Sequence, residues 1–101
     1  MYSFLKLFDK PPHQIKLMFY VYVLKSLKDN NCYTGSTNNL RRRLKEHNTG
    51  KVFSTKTRLP MVLIYYEAYK SEYDARKRES NLKLRSKSYA QLKKRIENSL
   101  K

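Results

Sequence analysis

Two short apolar segments, separated by a polar stretch, predict a β-hairpin early in the chain. Residues 19–24 are all apolar or aromatic, which is typical of a strand buried on both faces. Residues 25–31 contain Asp29-Asn30-Asn31, a composition that favours a turn. Residues 32–36 return to a strand pattern, so the pair is expected to be antiparallel. Gly35 is expected where the backbone bends tightly or approaches a ligand closely.

A helix is predicted over residues 40–47, where leucines recur one turn apart and define a buried face. Asn38 or Asn39 can cap this helix by accepting a backbone N–H from its first turn. Asn48 and Gly50 are expected to end it, because glycine suits a left-handed residue after the last turn.

The second half of the chain adds a strand and two helices. Residues 51–58 are polar and basic, as in a loop, and residues 61–66 are a third β-prone run. Ser71 can cap a helix that runs to about residue 85. Ser88 can cap a third helix, in which apolar residues recur at spacings of three and four: Tyr89, Leu92, Ile96 and Leu100. The order β-β-α-β-α-α predicts a small α/β (α+β) fold, with a three-stranded, mainly antiparallel sheet flanked by helices.

The charge balance points to a polyanionic partner. The chain has 23 Lys and Arg against 8 Asp and Glu, a net charge of +15. Such a field attracts nucleic acid, because neutralised phosphates release counterions. The charge alone also fits a basic soluble protein or a ribosome-associated one.

Length and cysteine content limit the number of domains and the kinds of disulfide or metal site that the chain can contain. The 101 residues suffice for one domain, expected over residues 18–101, with residues 1–17 as an N-terminal extension or a short arm. Cys32 is the single cysteine, so neither an internal disulfide nor a cysteine-based zinc site can form, which favours a reducing cytoplasm. No apolar run approaches the roughly 20 residues needed to span a bilayer.

Three polar residues on predicted helices are candidates for chemistry. Arg43 and His47 are four residues apart and project from one helix face, although both also fit an ordinary basic helix. Glu79 shares a face with Ala75 and Leu82, so its carboxylate is expected to be partly desolvated. A divalent metal compensates such a charge, and so does an internal salt bridge.

Tyrosine is abundant, with nine in the chain, and two of these residues lie on the predicted hairpin. Tyr22 and Tyr33 stand on neighbouring strands, so their hydroxyls are expected to converge. A tyrosine of ordinary pKa near ~10 acts as a base where nearby cations lower that value. Each of the two, taken alone, also fits a structural role.

The set of these residues, in order and at spacing, resembles the GIY-YIG nuclease superfamily over residues 20–94. The first tripeptide is Tyr20-Val21-Tyr22, in which Tyr20 replaces glycine, and the second is Tyr33-Thr34-Gly35. The following spacing to Arg43 and His47, and the later Glu79, also match the family pattern. The chain is most similar to the short bacterial stand-alone branch and to the nuclease domain of the excinuclease C subunit.

The resemblance implies one-step hydrolysis of a phosphodiester with a single metal. Glu79 would hold Mg²⁺, with Mn²⁺ as a substitute, and Arg43 would stabilise the charge that grows on the phosphate. Tyr22 is the first choice for general base, with Tyr33 orienting water or phosphate. His47 would assist proton transfer because its unperturbed pKa lies near working pH. The base among these three residues stays open.

The expected function is metal-dependent endonuclease activity on DNA, with repair or recombination intermediates as candidate substrates. The alternatives are a weakly catalytic or non-catalytic nucleic-acid-binding module and an RNA-processing nuclease. A homodimer or a partner protein is left open as the source of specificity. Five cations are expected to bind the nucleic-acid backbone without reading sequence: Arg41, Arg42, Lys51, Lys56 and Arg58.

Overall fold

The computed structural model describes residues 18–83 and 86–101 and has the predicted order of elements. The strands are β1 (Phe19–Ser26), β2 (Cys32–Thr37) and β3 (Met61–Tyr69); the helices are α1 (Leu40–Asn48), α2 (Glu72–Lys83) and α3 (Lys87–Arg95). The predicted extension, residues 1–17, lies outside the described residues. No helix in the described ranges has the length and hydrophobicity to cross a bilayer.

The three strands form one antiparallel sheet in the order β2-β1-β3. β1 is central, which explains why four consecutive residues, 21–24, are at most 2% exposed. In the hairpin, Tyr22 pairs with Gly35 and Leu24 pairs with Tyr33. Because side chains alternate along a strand, this register puts both tyrosines on the same face. The α+β fold and the hairpin are therefore confirmed.

Helices cover both faces of the sheet. On one face α2 and α3 pack against Val21 and Val23 through Ala75, Leu82 and Leu92. The other face carries a second apolar cluster. The strands contribute Tyr22, Leu24, Tyr33, Met61 and Leu63, α1 contributes Leu40 and Leu44, and the loop before β3 contributes Leu59. The two hairpin tyrosines therefore belong to the face that α1 covers.

The ends of α1 follow the predicted capping chemistry. The Asn39 side chain accepts a hydrogen bond from the backbone N–H of Arg42, so Asn39 is the N-cap. At the other end Asn48 donates to the Met61 carbonyl at 2.9 Å and accepts from the Met61 N–H at 2.8 Å. Gly50 follows at φ +76°, the left-handed region. These contacts fix α1 to the first residue of β3.

Two details of the helical half differ from prediction. The N-cap of α3 is Ser86, which accepts from the Ser88 N–H, so the prediction of Ser88 as the cap was wrong by two positions. The helix also ends at Arg95, and residue 100 lies in the turns that follow. Ile96 nevertheless packs against the core, as its spacing from Leu92 predicts.

A polar network sits on the face covered by α2, at the β3 edge. Glu67 accepts hydrogen bonds from the hydroxyls of Tyr65 and Tyr69 and from the Arg78 guanidinium. Burial raises the pKa of Glu67, but the bonds from Arg78 and the two tyrosines outweigh it, and the pKa is lowered overall. This Glu67 network joins α2 to the edge strand of the sheet.

Candidate active site

The candidate site begins with Tyr22, a 2% exposed residue in the middle of the central strand. Its ring lies over Gly35, its cross-strand partner. A Cβ at Gly35 would lie 2.4 Å from the Tyr22 hydroxyl, closer than side chains tolerate. Gly35 is therefore needed to leave room for the Tyr22 hydroxyl. The close approach that the structure shows at Gly35 is to the Tyr22 hydroxyl, and an approach to a ligand there stays a prediction.

A buried hydrogen-bond chain connects Tyr22 to the loop after α1. The Tyr22 hydroxyl is 2.8 Å from His47 Nε2, and His47 Nδ1 is 2.7 Å from Thr55 Oγ1. His47 and Thr55 are both fully buried. His47 comes from α1, and Thr55 comes from a turn whose Val52 is also buried. His47 is thus an internal link, not the surface residue that a basic helix would carry.

Burial sets the protonation of this chain. It lowers the pKa of His47 to about 4, with the nearby Arg43 charge acting in the same direction. It also raises the pKa of Tyr22 to about 12, although the Arg43 guanidinium opposes this shift. Near neutral pH the histidine is therefore uncharged and the phenol keeps its proton. The expectation of a His47 pKa close to working pH does not hold in this environment.

Arg43 stands beside the tyrosine at the rim of the same face. Its guanidinium pairs with Glu46 at 3.0 Å and is about one-third exposed, with 36% of the side chain accessible. Its pKa is raised by the hydrogen bond to Glu46 and by Tyr22. Arg43 lines a cleft of about 280 Å³ between α1 and α2, together with Ser36 and Arg76. A charged guanidinium is therefore held at the wall of an open cleft.

Tyr33 completes the aromatic part of the site. Its ring centroid is 5.2 Å from that of His47 and 6.5 Å from that of Tyr22. Tyr33 is half-buried, whereas Tyr22 is almost fully covered. The two rings are therefore neighbours, with Tyr33 nearer to the surface, and the convergence of their hydroxyls stays a prediction.

Glu79 reaches the same strand from the opposite face of the sheet. Its Oε1 accepts from the Ser36 hydroxyl at 2.6 Å, and Ser36 directly follows Gly35 in β2. Its Oε2 pairs with the Lys83 ammonium at 2.8 Å. The same ammonium lies 5.9 Å from the centroid of the Tyr33 ring, so Lys83 bridges the carboxylate to the tyrosine. These contacts of α2 are therefore both with residues of the edge strand β2.

The donor set around Glu79 fits a divalent cation held by one carboxylate. The Glu79 side chain is 19% exposed, and the Lys83 ammonium already provides a positive charge against Oε2. In residues 18–83 and 86–101, no three His, Cys, Asp or Glu side chains cluster as a metal cage. Mg²⁺ bound through one or two carboxylates, waters and a substrate phosphate does not require such a cage. The salt bridge that the sequence left open for Glu79 is the contact observed, and a cation at this carboxylate stays a prediction.

The five predicted backbone-binding cations differ in availability. Arg41, Arg42, Lys51 and Lys56 are exposed. Arg58 is already paired within the chain: it donates to Asp29 at 2.7 Å and to the Asn31 carbonyl at 3.1 Å. Its side chain is 22% exposed. These hydrogen bonds stabilise the turn between β1 and β2. The contact of Arg58 with nucleic acid stays a prediction.

Sequence reasoning missed four residues that build the site. Lys83 is four positions after Glu79, a spacing that signals a helical ion pair. Ser36 follows the second tripeptide directly, so its position in the strand was the available signal. Thr55 and Glu46 had no comparable signal, because their roles depend on how the loop and α1 pack.

The chain is similar to known proteins in sequence and in structure. A model of the GIY-YIG catalytic domain matches residues 18–95. A UPF0213 protein of Staphylococcus haemolyticus is 48% identical over 65 residues, which are 63% of this chain and 78% of that protein. A UPF0213 protein of Clostridium perfringens is 45% identical over 67 residues, or 65% of this chain and 71% of that protein. The solution NMR structure of a UPF0213 protein from Bacillus halodurans is 36% identical, covering 74% of this chain and 81% of that chain with a TM-score of 0.48.

Proposed function

Since this chain belongs to the GIY-YIG catalytic domain family, a family of nucleases, we propose that it is a metal-dependent endonuclease that hydrolyses phosphodiester bonds in DNA. The observation that carries the proposal is the grouping around Tyr22: its hydroxyl contacts His47, and Tyr33, Arg43 and Glu79 are near enough to act on its pKa. The net charge of +15 supports a polyanionic substrate. Repair or recombination intermediates are the first DNA structures to test.

Glu79 would hold Mg²⁺, or Mn²⁺ in its place, and such a bound cation supplies Lewis-acid polarisation of the scissile phosphate. Arg43 would bind a nonbridging oxygen and stabilise the negative charge that develops there. Two observations support this role: the guanidinium lines the cleft, and Glu46 fixes its position at 3.0 Å. Tyr33, at the more exposed end of the aromatic group, would orient the attacking water or the phosphate.

Tyr22 would act as the base through His47. With a pKa raised to about 12, Tyr22 is protonated near neutral pH and needs a partner that takes its proton. His47 Nε2 lies 2.8 Å away. As the phenol oxygen takes a proton from water, its own proton passes to Nε2, and Nδ1–H donates to Thr55. With a pKa lowered to about 4, His47 is neutral beforehand and is a weak base, so it would hold the proton only transiently.

The test is a cleavage assay with the purified protein. Labelled single-stranded, duplex, flapped and branched DNA, and matched RNA, are incubated with Mg²⁺, Mn²⁺ or chelator. Glu79→Ala runs alongside Glu97→Ala, which removes an exposed carboxylate after α3. We expect metal-dependent cleavage of DNA that Glu79→Ala abolishes and Glu97→Ala preserves, with both variants folded by circular dichroism.

Two other outcomes would replace the proposal. Tight binding without cleavage under any metal would identify a binding module, particularly if Glu79→Ala binds like the wild type. Cleavage restricted to RNA and dependent on the 2′-hydroxyl would identify an RNA-processing nuclease.

A further inference from the structure

Phe53 has the most exposed large apolar side chain of the described residues, at 82%. It lies in the loop after α1, between Val52, which is 7% exposed, and Thr55, which is fully buried. Exposing a phenyl ring to water forgoes the free energy that its burial would contribute. Its position between two buried neighbours therefore needs an explanation other than folding.

The backbone around Phe53 is held in a defined turn. The N–H groups of Thr55 and Lys56 both donate to the Val52 carbonyl, at 3.1 and 3.0 Å, and the Arg58 N–H donates to the Thr55 carbonyl at 2.9 Å. With Val52 and Thr55 anchored in the interior, the turn presents Phe53 outward. The exposure of the ring is thus built into the fold of the loop.

A cation accompanies the ring. The Lys56 ammonium lies 4.8 Å from the centroid of the Phe53 ring, within the range of a cation–π contact. An exposed aromatic ring next to an exposed ammonium matches the two parts of a nucleotide, a flat base and a phosphate. Single-stranded nucleic acids are bound by this combination of stacking and electrostatic attraction.

The turn is directly connected to the candidate site. Thr55 Oγ1 is 2.7 Å from His47 Nδ1, and His47 contacts both Tyr22 and Tyr33. Phe53 is two residues before Thr55, so their Cα atoms are at most about 7–8 Å apart. A nucleotide bound at Phe53 would therefore lie within a few nucleotides of the phosphate at the site.

We propose that Phe53 and Lys56 form a stacking platform for an unpaired nucleobase next to the bond that is cut. This inference rests on the proposed nuclease function and specifies its substrate class: DNA with a single-stranded or splayed segment. In a continuous duplex each base is already stacked between its neighbours and offers no free face to the ring. The platform therefore favours single strands, flaps and junctions over uninterrupted duplex.

The experiment measures binding by the full chain in chelator, where metal-dependent cleavage is suppressed. The probes are a single-stranded DNA oligonucleotide carrying 2-aminopurine and the same sequence as a duplex. The variants are Phe53→Ala, Phe53→Trp and the matched control Tyr73→Ala, which truncates another exposed ring, 72% accessible, on α2. Melting temperatures of all variants confirm that folding is intact.

We expect Phe53→Ala to raise the Kd for the single strand about 5- to 100-fold, the range of one lost base–aromatic stack. The Kd for the duplex should change less than about twofold, and Tyr73→Ala should bind both probes like the wild type, since stacking is lost at one ring only. Phe53→Trp should retain single-strand binding and should quench or shift 2-aminopurine fluorescence.

Equal effects of Phe53→Ala on single strand and duplex, or no effect on either, would overturn the platform. Failure of the platform differs from failure of the proposed function. Cleavage that requires Glu79 but ignores Phe53 removes the platform alone. Phe53-dependent binding of the single strand without cleavage in any metal leaves the platform standing and removes the nuclease.

Discussion

Two tyrosine networks lie on opposite faces of the sheet, and they differ in what accepts the phenolic proton. In the Glu67 network a carboxylate accepts from two tyrosines, and Arg78 donates to both carboxylate oxygens. In the site, Tyr22 meets an uncharged imidazole whose second nitrogen contacts Thr55. The first acceptor is a charged carboxylate that is bonded on both oxygens, whereas the second is a buried ring that is uncharged near neutral pH.

A shifted pKa therefore does not by itself identify the site. Burial raises the pKa of Tyr69 to about 12, with Glu67 acting in the same direction, and burial raises the pKa of Tyr22 to the same value. What separates these tyrosines is their surroundings. Both have a guanidinium nearby, but Tyr22 has a neutral acceptor and a neighbouring strand whose Gly35 leaves room for its hydroxyl. Tyr69 is held in a closed ion-pair network.

The largest contrast is expected from removing one hydroxyl in each network. Tyr22→Phe keeps the ring but removes the proton path, so single-turnover cleavage should fall by about 10²–10⁴-fold. Tyr69→Phe should leave the cleavage rate within about twofold and lower the free energy of unfolding by about 1 kcal/mol. A Tyr69→Phe variant that loses cleavage as severely as Tyr22→Phe would contradict the distinction.

The second contrast is the pH dependence of stability. The pKa of His47 is about 4 in the folded protein, whereas an unfolded histidine titrates near ~6.5. Between these values the unfolded chain binds more protons than the folded protein. The contribution of uncharged His47 to the free energy of unfolding is therefore fully present above about pH 6.5 and is lost as the pH falls to about 4. The loss amounts to as much as roughly 3 kcal/mol. Thermal melts across this window should show a steeper loss for the wild type than for His47→Gln. Parallel curves would mean that His47 is not buried as an uncharged ring.

The third contrast concerns the closed network. Glu67→Gln leaves the Arg78 guanidinium without its ion pair, in a network where the two side chains are 16% and 24% exposed. The free energy of unfolding should fall by about 2 kcal/mol, or about 10 °C in Tm. The control is Glu72→Gln, whose partner Arg76 lies on an exposed helix surface, where a pair contributes about 0.5 kcal/mol. Equal losses of Tm in these two variants would show that the Glu67–Arg78 pair stabilises the fold no more than an exposed ion pair does.

The smallest effect is expected at Lys83, the cation that pairs with Glu79 at 2.8 Å. Lys83→Met removes a competitor for Oε2, so the affinity for Mn²⁺ should rise about fivefold, the equivalent of about 1 kcal/mol. Electron paramagnetic resonance of free Mn²⁺ reports this binding directly. Lys77→Met, two positions before Glu79 and so on another side of the helix, is the control and should leave the affinity unchanged. Weaker Mn²⁺ binding in Lys83→Met would show that Lys83 supports the cation instead of competing with it.

Local sequence patterns predicted the framework because they depend on short-range physics. The unbroken apolar run of residues 19–24 indicated a strand buried on both faces, and it is the central strand. Asn39 was one of two predicted caps and accepts the expected bond. The spacing of Arg43 and His47 placed both on one face of α1, which packs on the face that carries Tyr22.

The chemistry of the site depends on contacts between distant segments, which no local pattern reveals. Gly35 is explained by the cross-strand register with Tyr22. The lowered pKa of His47 requires burial, and its second nitrogen contacts Thr55 of the following loop. The pairing of Arg58 with Asp29, 29 residues earlier, could not be foreseen from its charge, and its contact with nucleic acid stays a prediction.

The central claim is that Glu79 serves cleavage, whereas Glu67 serves stability. The most direct test compares variants of these two carboxylates. Single-turnover cleavage of a DNA substrate with Mg²⁺ is measured for the wild type, Glu79→Ala and Glu67→Gln, well below the melting temperature of each. The account predicts that Glu79→Ala has no detectable cleavage and that Glu67→Gln cleaves within about threefold of the wild type, since loss of stability alone does not change the rate of the folded protein. Undiminished cleavage by Glu79→Ala, or equal loss in both variants, would contradict it.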